Sequence, residues 1–437
     1  MEQKQQTVES LTMRKVAWRI LPFVTVGYFL ASLDRVNIAF AALQMKQDIA
    51  LGDAAFGFGA GLFFIAYCLF AVPANMMLER FGPVRWLAFT MVSWGLISSC
   101  MAAVSGPQSF FILRFLLGMA EAGFFPGVIF YLTLWFPSGH RSRAVAILMM
   151  ALPVSSVLGS PLSALLLLTD GWLGMRGWHW LFIIEGSPAI FMGILCLYVL
   201  PHDVSRARFL TAQERAWIAS QVSEVPGEKV RGTLKDLWGV LCNKYVLVLT
   251  LIYIGGTSVT NGLSLWQPQI ISTFNLSTMQ IGFLNALPFA LASFVMYLWS
   301  SHSDRTGERV KHLALPLAIG AVALTCIMFV ESLLATIVVL CVAITAASMI
   351  KGPFWALATE MVPARNAAMA IAMINALNNL GVFAGTYLIG VIKEATGNFT
   401  FALVPYLVIS VVACTLALWI GRRQGMNIGS ASSKIAG

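Results

Sequence analysis

Apolar runs of roughly 20 residues recur along this chain almost free of charge, and that is the length an α-helix needs to cross a bilayer. They fall near 18–42, 54–78, 86–105, 109–136, 143–168, 178–200, 245–272, 279–301, 313–331, 333–360, 366–392 and 398–420. The fold class is therefore an all-α membrane protein with twelve transmembrane helices. The composition agrees: 58% of the 437 residues are apolar and 11% are charged, where soluble domains carry about 25% charged residues. A water-soluble globule is excluded, and with it a nucleic-acid partner for the net charge of +9. The seven cysteines lie apart, in no metal-ligand or redox spacing, and read as packing residues. The first run follows Arg14, Lys15 and Arg19, as in a signal peptide. No small-residue cleavage site follows, and the run continues through Asp34 and Arg35, so it reads as the first spanning helix.

The basic residues set an expected orientation. With both termini cytoplasmic, 22 of the 28 Lys and Arg fall on cytoplasmic tails, loops and helix ends. Lys46, Arg176 and Lys393 fall on the opposite side, while Arg35, Arg114 and Lys351 sit inside apolar runs. This asymmetry is the positive-inside pattern, and it accounts for the net charge without an acidic partner. The longest polar stretch, 201–244, separates an N-terminal six-helix bundle (1–200) from a C-terminal six-helix bundle with a short cytoplasmic tail (245–437). Within the stretch, "TAQERAWIASQVSEV" has the character of an amphipathic helix on the cytoplasmic surface, serving as a linker or as a regulatory docking site.

The two halves repeat a motif. "NMMLERFGPVR" follows the second span and "SSHSDRTGER" the eighth, so that Glu79 matches Asp304, Arg80 matches Arg305 and Gly82 matches Gly307 at a constant offset of 225 residues. Half-chain repetition is how secondary transporters are built. An acid at a helix end can pair with arginine as a cytoplasmic gate, and glycine permits the tight turn. Here the sequence resembles the major facilitator superfamily, whose loop pattern is G-x-x-x-D/E-R-x-G-x-R/K-R/K. It departs from that pattern at the leading glycine, which is Asn75 in one copy and Ser300 in the other. The resemblance implies two six-helix halves around a central cavity.

Charges at membrane depth cost at least ~2.5 kcal/mol each, so each needs a partner or a task. Five stand out: Asp34, Arg35, Arg114, Glu121 and Lys351. Asp34 and Arg35 are adjacent and point about 100° apart on a helix. Asp34 shares its face with Asn37, Ile38 and Ala41; Arg35 shares its face with Ala31 and Ala39. Arg114, Gly118 and Glu121 fall on one stripe, where glycine lets another helix or a ligand approach. Arg114 and Glu121 lie ~10 Å apart along the axis, so Arg114 is expected to look toward Asp34. Burial and a neighbouring arginine act in opposite senses on a carboxyl's protonation, which makes that protonation sensitive to a bound anion. The alternative is a buried ion network that only joins two helices.

A narrower resemblance, to the anion:cation symporter family with its tartrate, sugar-acid and aromatic-acid permeases, rests on "LDRVNIAFA", "VPANMMLERFG", "RFLLGMAEAGFFPG", "LTLWFPSGHRSRA", "WLFIIEG", "FWALATEMVP", "INALNNLGVF" and "YLIG". It implies that Asp34 and Glu121 carry protons, that Arg35 binds a substrate carboxylate and that Arg114 couples the two. By the same resemblance Tyr67, Trp355 and Asn375 line the central cavity. Read on its own, Tyr67 fits substrate contact and ordinary packing equally. Asn375 and Asn379 share a helix face and either bind substrate hydroxyls or bond between helices. Glu185, after an aromatic belt, reads as structural near the outer interface, and His302 and His312 as solvated. Lys351 departs from the family's small or apolar residue. It suits a second anionic group, with a dicarboxylate held between Arg35 and Lys351, unless it snorkels or pairs locally.

The expectation is proton-coupled symport of a small organic anion by alternating access in a bacterial inner membrane. The anion would be a hydroxy or sugar acid or an aromatic carboxylate. The partners are that carboxylate and the lipid bilayer; no cofactor beyond protons and no metal is expected, and the chain would act as a monomer. No nucleophile, metal or phosphate-binding pattern points to an enzyme. The competing readings are an antiporter, hinted at by "VSSVLGSP" in the fifth span, and a non-transporting sensor on the same fold.

Overall fold

The computed structural model describes residues 2–222, 239, 241–362 and 367–435. Among the described residues there is no strand, and twelve helical spans are long and apolar enough to cross a membrane. The chain divides into two compact units: unit 1 comprises Met1–Ala50 and Leu62–Lys229, and unit 2 comprises Leu51–Gly61 and Val230–Gly437.

Unit 1 contains α1 (Glu2–Asp48), most of α2 (Asp53–Phe81), α3 (Pro83–Cys100), α4 (Pro107–Glu121), α5 (Phe124–Thr133), α6 (Ser138–Met149), α7 (Ala151–Leu167), α8 (Gly177–Val199) and α9 (Ala212–Val222). The boundaries follow local chemistry. Gly82 adopts φ 79°, a region open to glycine at no steric cost, and Pro83 then opens α3 with the φ a helix needs. Pro107 opens α4 in the same way. The fourth span is not one helix: α4 stops at Glu121, and α5 resumes after Ala122 and Gly123.

Small residues bring the helices of unit 1 together, as expected where lipid supplies no hydrophobic drive. α3 lies along α8, where a Cβ on Gly186 would come 2.7 Å from Ser99 Oγ and one on Gly193 2.7 Å from Val92. Gly118 is tighter, since a Cβ there would sit 2.2 Å from the Phe63 carbonyl oxygen. The neighbour admitted by that glycine is thus the α2 backbone. Large apolar side chains such as Trp18, Phe191 and Tyr198 stay exposed, as suits a lipid-facing surface.

The segment with amphipathic character is seated on unit 1. Thr211 and Glu214 form a reciprocal cap at the start of α9 (Thr211 N–H to Glu214 Oε2, 2.8 Å; Glu214 N–H to Thr211 Oγ1, 3.3 Å). Leu210 and Ile218 join the unit 1 core, and Lys15 on α1 donates to Glu214 Oε1 at 2.6 Å. Burial alone would push the Glu214 carboxyl up, yet the Lys15 and Thr211 hydrogen bonds hold it below its ordinary value. Glu224, Glu228, Lys229, Arg231 and Lys235 of the linker lie outside the described residues.

Unit 2 contains the start of α2, then α10 (Lys244–Ser272), α11 (Thr278–Thr306), α12 (Val310–Cys326), α13 (Leu333–Met349), α14 (Lys351–Met361), α15 (Ala367–Thr396), a single turn at Phe399–Ala402 and α16 (Val404–Ile435). Ser277 and Gln280 close a capping box at the start of α11, and Gly307, at φ 67°, ends that helix. The tenth span is interrupted at Ile350, which makes Lys351 the first residue of α14. The first turn of α2 is fastened inside this unit: Lys393 donates to Asp53 at 3.0 Å and to Gln269 at 3.3 Å, and Ala54 N–H donates to Glu394 at 2.8 Å.

Candidate functional site

The sequence-marked residues of unit 1 converge on one buried cluster. α1 presents Asp34, Arg35 and Asn37; α2 presents Phe63 and Tyr67; α3 presents Ser98; α4 presents Arg114 and Glu121. Asp34, Asn37, Arg114 and Glu121 are each at most 5% exposed. Such burial at membrane depth is tolerable only with partners.

The pairing differs in part from the sequence expectation. Arg35 donates from Nε (3.2 Å) and Nη2 (2.9 Å) to the same oxygen, Oε2, of Glu121. The residue assigned by resemblance to the substrate is thus held by one of the residues assigned to the proton. Glu121 Oε1 accepts no hydrogen bond among the described residues. The Arg35 side chain remains 34% exposed, against 1% for Glu121. Arg114 is buried, and its guanidinium shares the Phe63 ring with that of Arg35. The Arg35 and Arg114 guanidiniums lie 5.3 and 5.1 Å from the Phe63 ring centroid, and Arg35 lies 5.7 Å from that of Tyr67. Tyr67 is therefore part of the charged cluster.

Asp34 Oδ1 accepts from Asn37 Nδ2 at 2.9 Å and from Ser98 Oγ. Asn37 follows from helical spacing; Ser98 does not, because a serine in an apolar span carries no signal of its partner. Glu185, read from sequence as structural near the outer interface, is held within the helix packing. It is 4% exposed inside unit 1 and accepts from Ser163 Oγ at 2.8 Å. An aromatic belt marks depth along the membrane normal, not the direction in which a helix face turns.

Among the described residues, the sequence-marked residues of unit 2 form no comparable ion cluster. Lys351 makes no ion pair or hydrogen bond among the described residues. Trp355, one turn on, packs edge-on to Tyr253 at 5.1 Å. Asn375 is exposed and donates back to the Ile371 carbonyl at 3.0 Å, and Asn379 is half-buried. Asn378 between them is buried and accepts from Thr257 on α10, so interhelical bonding falls to the asparagine on the other face.

At the repeated loops, Glu79, Arg80 and Arg305 are exposed and make no ion pair among the described residues. Asp304 pairs instead with Arg309 at 2.7 Å, and Arg309 also reaches Glu360 at the end of α14 (3.5 Å). The motif's later basic position carries the contact, since Gly307 turns the chain back and returns Arg309 toward the helix end. His312 is likewise 6% exposed rather than solvated, 2.7 Å from His302 and beneath Trp299.

A twelve-span membrane protein with half-chain repetition and a buried ionisable cluster is a secondary transporter by class. The family model described as Major Facilitator Superfamily matches residues 24–386, and the chain belongs to that superfamily. It is 41% identical to a "Putative tartrate transporter" of Agrobacterium vitis over 97% of each chain. It is 36% identical to a "Quinolone resistance transporter" of Acinetobacter baumannii, covering 90% of this chain and 91% of that one. Among solved structures it resembles a bacterial homolog to the human lysosomal transporter Spinster, with TM-score 0.75, 17% identity, and 92% and 96% of the chains covered. The protein is a multi-pass membrane transporter and not an enzyme.

Proposed function

We propose that this transporter takes up a small organic anion together with protons, by alternating access, across a bacterial inner membrane with both termini cytoplasmic. The observation that carries this reading is the Arg35–Glu121 bond. An anion arriving at the exposed side of Arg35 competes with Glu121 for the guanidinium, and a displaced carboxylate at membrane depth is strongly disfavoured unless it takes a proton. Anion binding and proton binding then support each other, which is the thermodynamic requirement for symport. Asp34 is the second proton site, and Tyr67 buttresses Arg35. Protons are the only coupling ion required, and one chain suffices.

The substrate class is a hydroxy, sugar or aromatic acid, in keeping with the tartrate-transporter relative. Lys351, with no acidic partner among the described residues, is the candidate for a second anionic group, and Trp355, Asn375 and Asn379 are candidates for the substrate's rings and hydroxyls. Glu79, Arg80, Asp304 and Arg305 are retained as gating candidates, with Arg309 added.

The test is uptake into proteoliposomes of tartrate, galactarate, phthalate, 4-hydroxyphenylacetate and a hexonate, with and without an acidic exterior. Acid-stimulated accumulation of at least one anion supports the reading. Lys351→Ala should weaken diacids selectively; equal affinity for every substrate removes the lysine from the site. The quinolone-resistance relative favours one second reading, proton-driven export, in which none of these anions accumulates and a cationic or neutral compound is extruded.

A further inference from the structure

The substrate candidates of unit 2 sit on two helices, Lys351 and Trp355 on α14, Asn375 and Asn379 on α15. One turn of α10, Tyr253–Thr257, touches both helices. Tyr253 stacks on Phe354 (centroids 4.5 Å apart, 18° between planes) and meets Trp355 edge-on at 5.1 Å. Phe354 and Trp355 are themselves 5.2 Å apart, so three rings close on one another. Four residues on, Thr257 aims its hydroxyl at Asn378 Oδ1 and at the Tyr253 carbonyl (2.8 Å). The turn fits its neighbours closely. A Cβ on Gly256 would collide with Ile350, the residue before Lys351, and one on Gly381 of α15 would lie 2.7 Å from Ile254.

These contacts fix orientations that the substrate candidates do not fix for themselves. A tryptophan side chain turns about two torsions, and the edge of the Tyr253 ring restricts both. Asn378 lies about 60° and 100° around the helix from Asn375 and Asn379, so tying Asn378 to α10 sets the angle at which the other two amides face. Thr257 and Asn378 are 4% and 8% exposed, and a hydroxyl–amide bond buried at membrane depth has no water to replace it. Asn375 donates to the Ile371 carbonyl, and its Oδ1 is taken by no group among the described residues. Such an acceptor oxygen repels a carboxylate and takes a hydrogen bond from a hydroxyl.

We propose that Tyr253 and Thr257 are positioning residues for substrate selection: Tyr253 sets the ring of Trp355, and Thr257 sets the amide face of α15. The face so set reads hydroxyls, and it selects a hydroxylated diacid over the same diacid without them. This selection rests on the anion reading above, in which Lys351 takes a carboxylate, and it adds shape and hydrogen bonding to what charge alone supplies. Neither residue needs to touch the substrate, because each acts through the side chain it holds.

The test is calorimetric binding and proteoliposome uptake of tartrate and of succinate, which is tartrate without its hydroxyls. Wild type, Thr257→Val, Thr257→Ser, Tyr253→Leu and Tyr253→Phe are compared. Wild type should bind tartrate the more tightly. Thr257→Val should weaken tartrate about 5- to 10-fold, the worth of one hydrogen bond. Its KM for tartrate rises with kcat kept, succinate is unaffected, and Thr257→Ser restores the preference. Tyr253→Leu should weaken both diacids, and Tyr253→Phe, which keeps the ring, should restore them. A wild type without preference for tartrate, a preference that Thr257→Val leaves unchanged, or an equal fall for both diacids in Thr257→Val with a lower Tm overturns the proposal. An unshifted preference leaves anion uptake standing. Selectivity lost in Thr257→Val with uptake indifferent to external acid refutes symport and leaves the positioning role. A wild type that binds neither diacid and extrudes a cationic or neutral compound overturns both.

Discussion

Replacing Glu121 by Gln tests whether the buried acid and the substrate compete for one guanidinium. Glutamine keeps the shape of a protonated carboxyl and removes the charge from the Arg35 bond. At 2.9 Å the ion pair has a Coulomb attraction of roughly 6 kcal/mol at an effective dielectric of about 20, most of it offset by desolvation. The net worth of hydrogen bonds to charged groups is about 1.5–3 kcal/mol. The Arg35 side chain is 34% exposed, so water screens part of the attraction and the lower end applies. A release of about 1.5–2 kcal/mol corresponds to roughly 10- to 30-fold tighter anion binding, since about 1.4 kcal/mol is a factor of ten. Wild-type affinity should fall as pH rises and Glu121 ionises to compete, while the variant should bind tightly at every pH. Calorimetric titration of the purified protein with the transported anion gives the affinity, and proteoliposome uptake gives the coupling. Accumulation driven by the pH gradient should be lost in the variant, because Glu121 no longer carries a proton. Unchanged affinity with unchanged pH dependence would refute the competition and leave the pair as a structural bond between α1 and α4.

Gly118→Ala places a methyl 2.2 Å from the Phe63 carbonyl oxygen and should cost about 1–3 kcal/mol, read as a lower Tm in detergent, because the α2 backbone must move away. Gly139→Ala, with open space around it, is the control. Gly307→Ala forces a side chain into the left-handed region at φ 67° and should cost about 1–2 kcal/mol, again as a Tm shift; an unchanged Tm would show that the turn relaxes. The Glu214 carboxyl is held below its ordinary value, so its contribution is complete above the unfolded carboxylate value, near about 4.3, and is lost as pH falls through the lower native one. Because Lys15 is 45% exposed, Glu214→Gln should cost no more than about 1 kcal/mol at neutral pH. The readout is faster hydrogen exchange along α9, and unaltered exchange would mean that Leu210 and Ile218 alone dock the segment.

Much of this protein is legible without coordinates, because the bilayer imposes a one-dimensional rule. Span length, charge-free runs and the basic-residue bias mark twelve helices whatever their neighbours, and a motif repeated at half-chain distance marks two halves. Isolated charges within spans, such as Asp34, Arg114 and Glu121, announce themselves because their desolvation is so unfavourable, and helical spacing alone places Asn37 beside Asp34. Partner choice is a different quantity. That Arg35 grips Glu121, that Ser98 and Ser163 serve two acids, and that Arg309 takes Asp304 all depend on how helices distant in the sequence are rotated and how closely they approach. Those rotations are set by packing at residues such as Gly118 and Gly186, where the absence of a side chain decides which surfaces meet. Glu185 marks the limit most clearly. Its sequence neighbours fix how deep it lies, and only the packing of α1, α3 and α7 around α8 turns it toward Ser163.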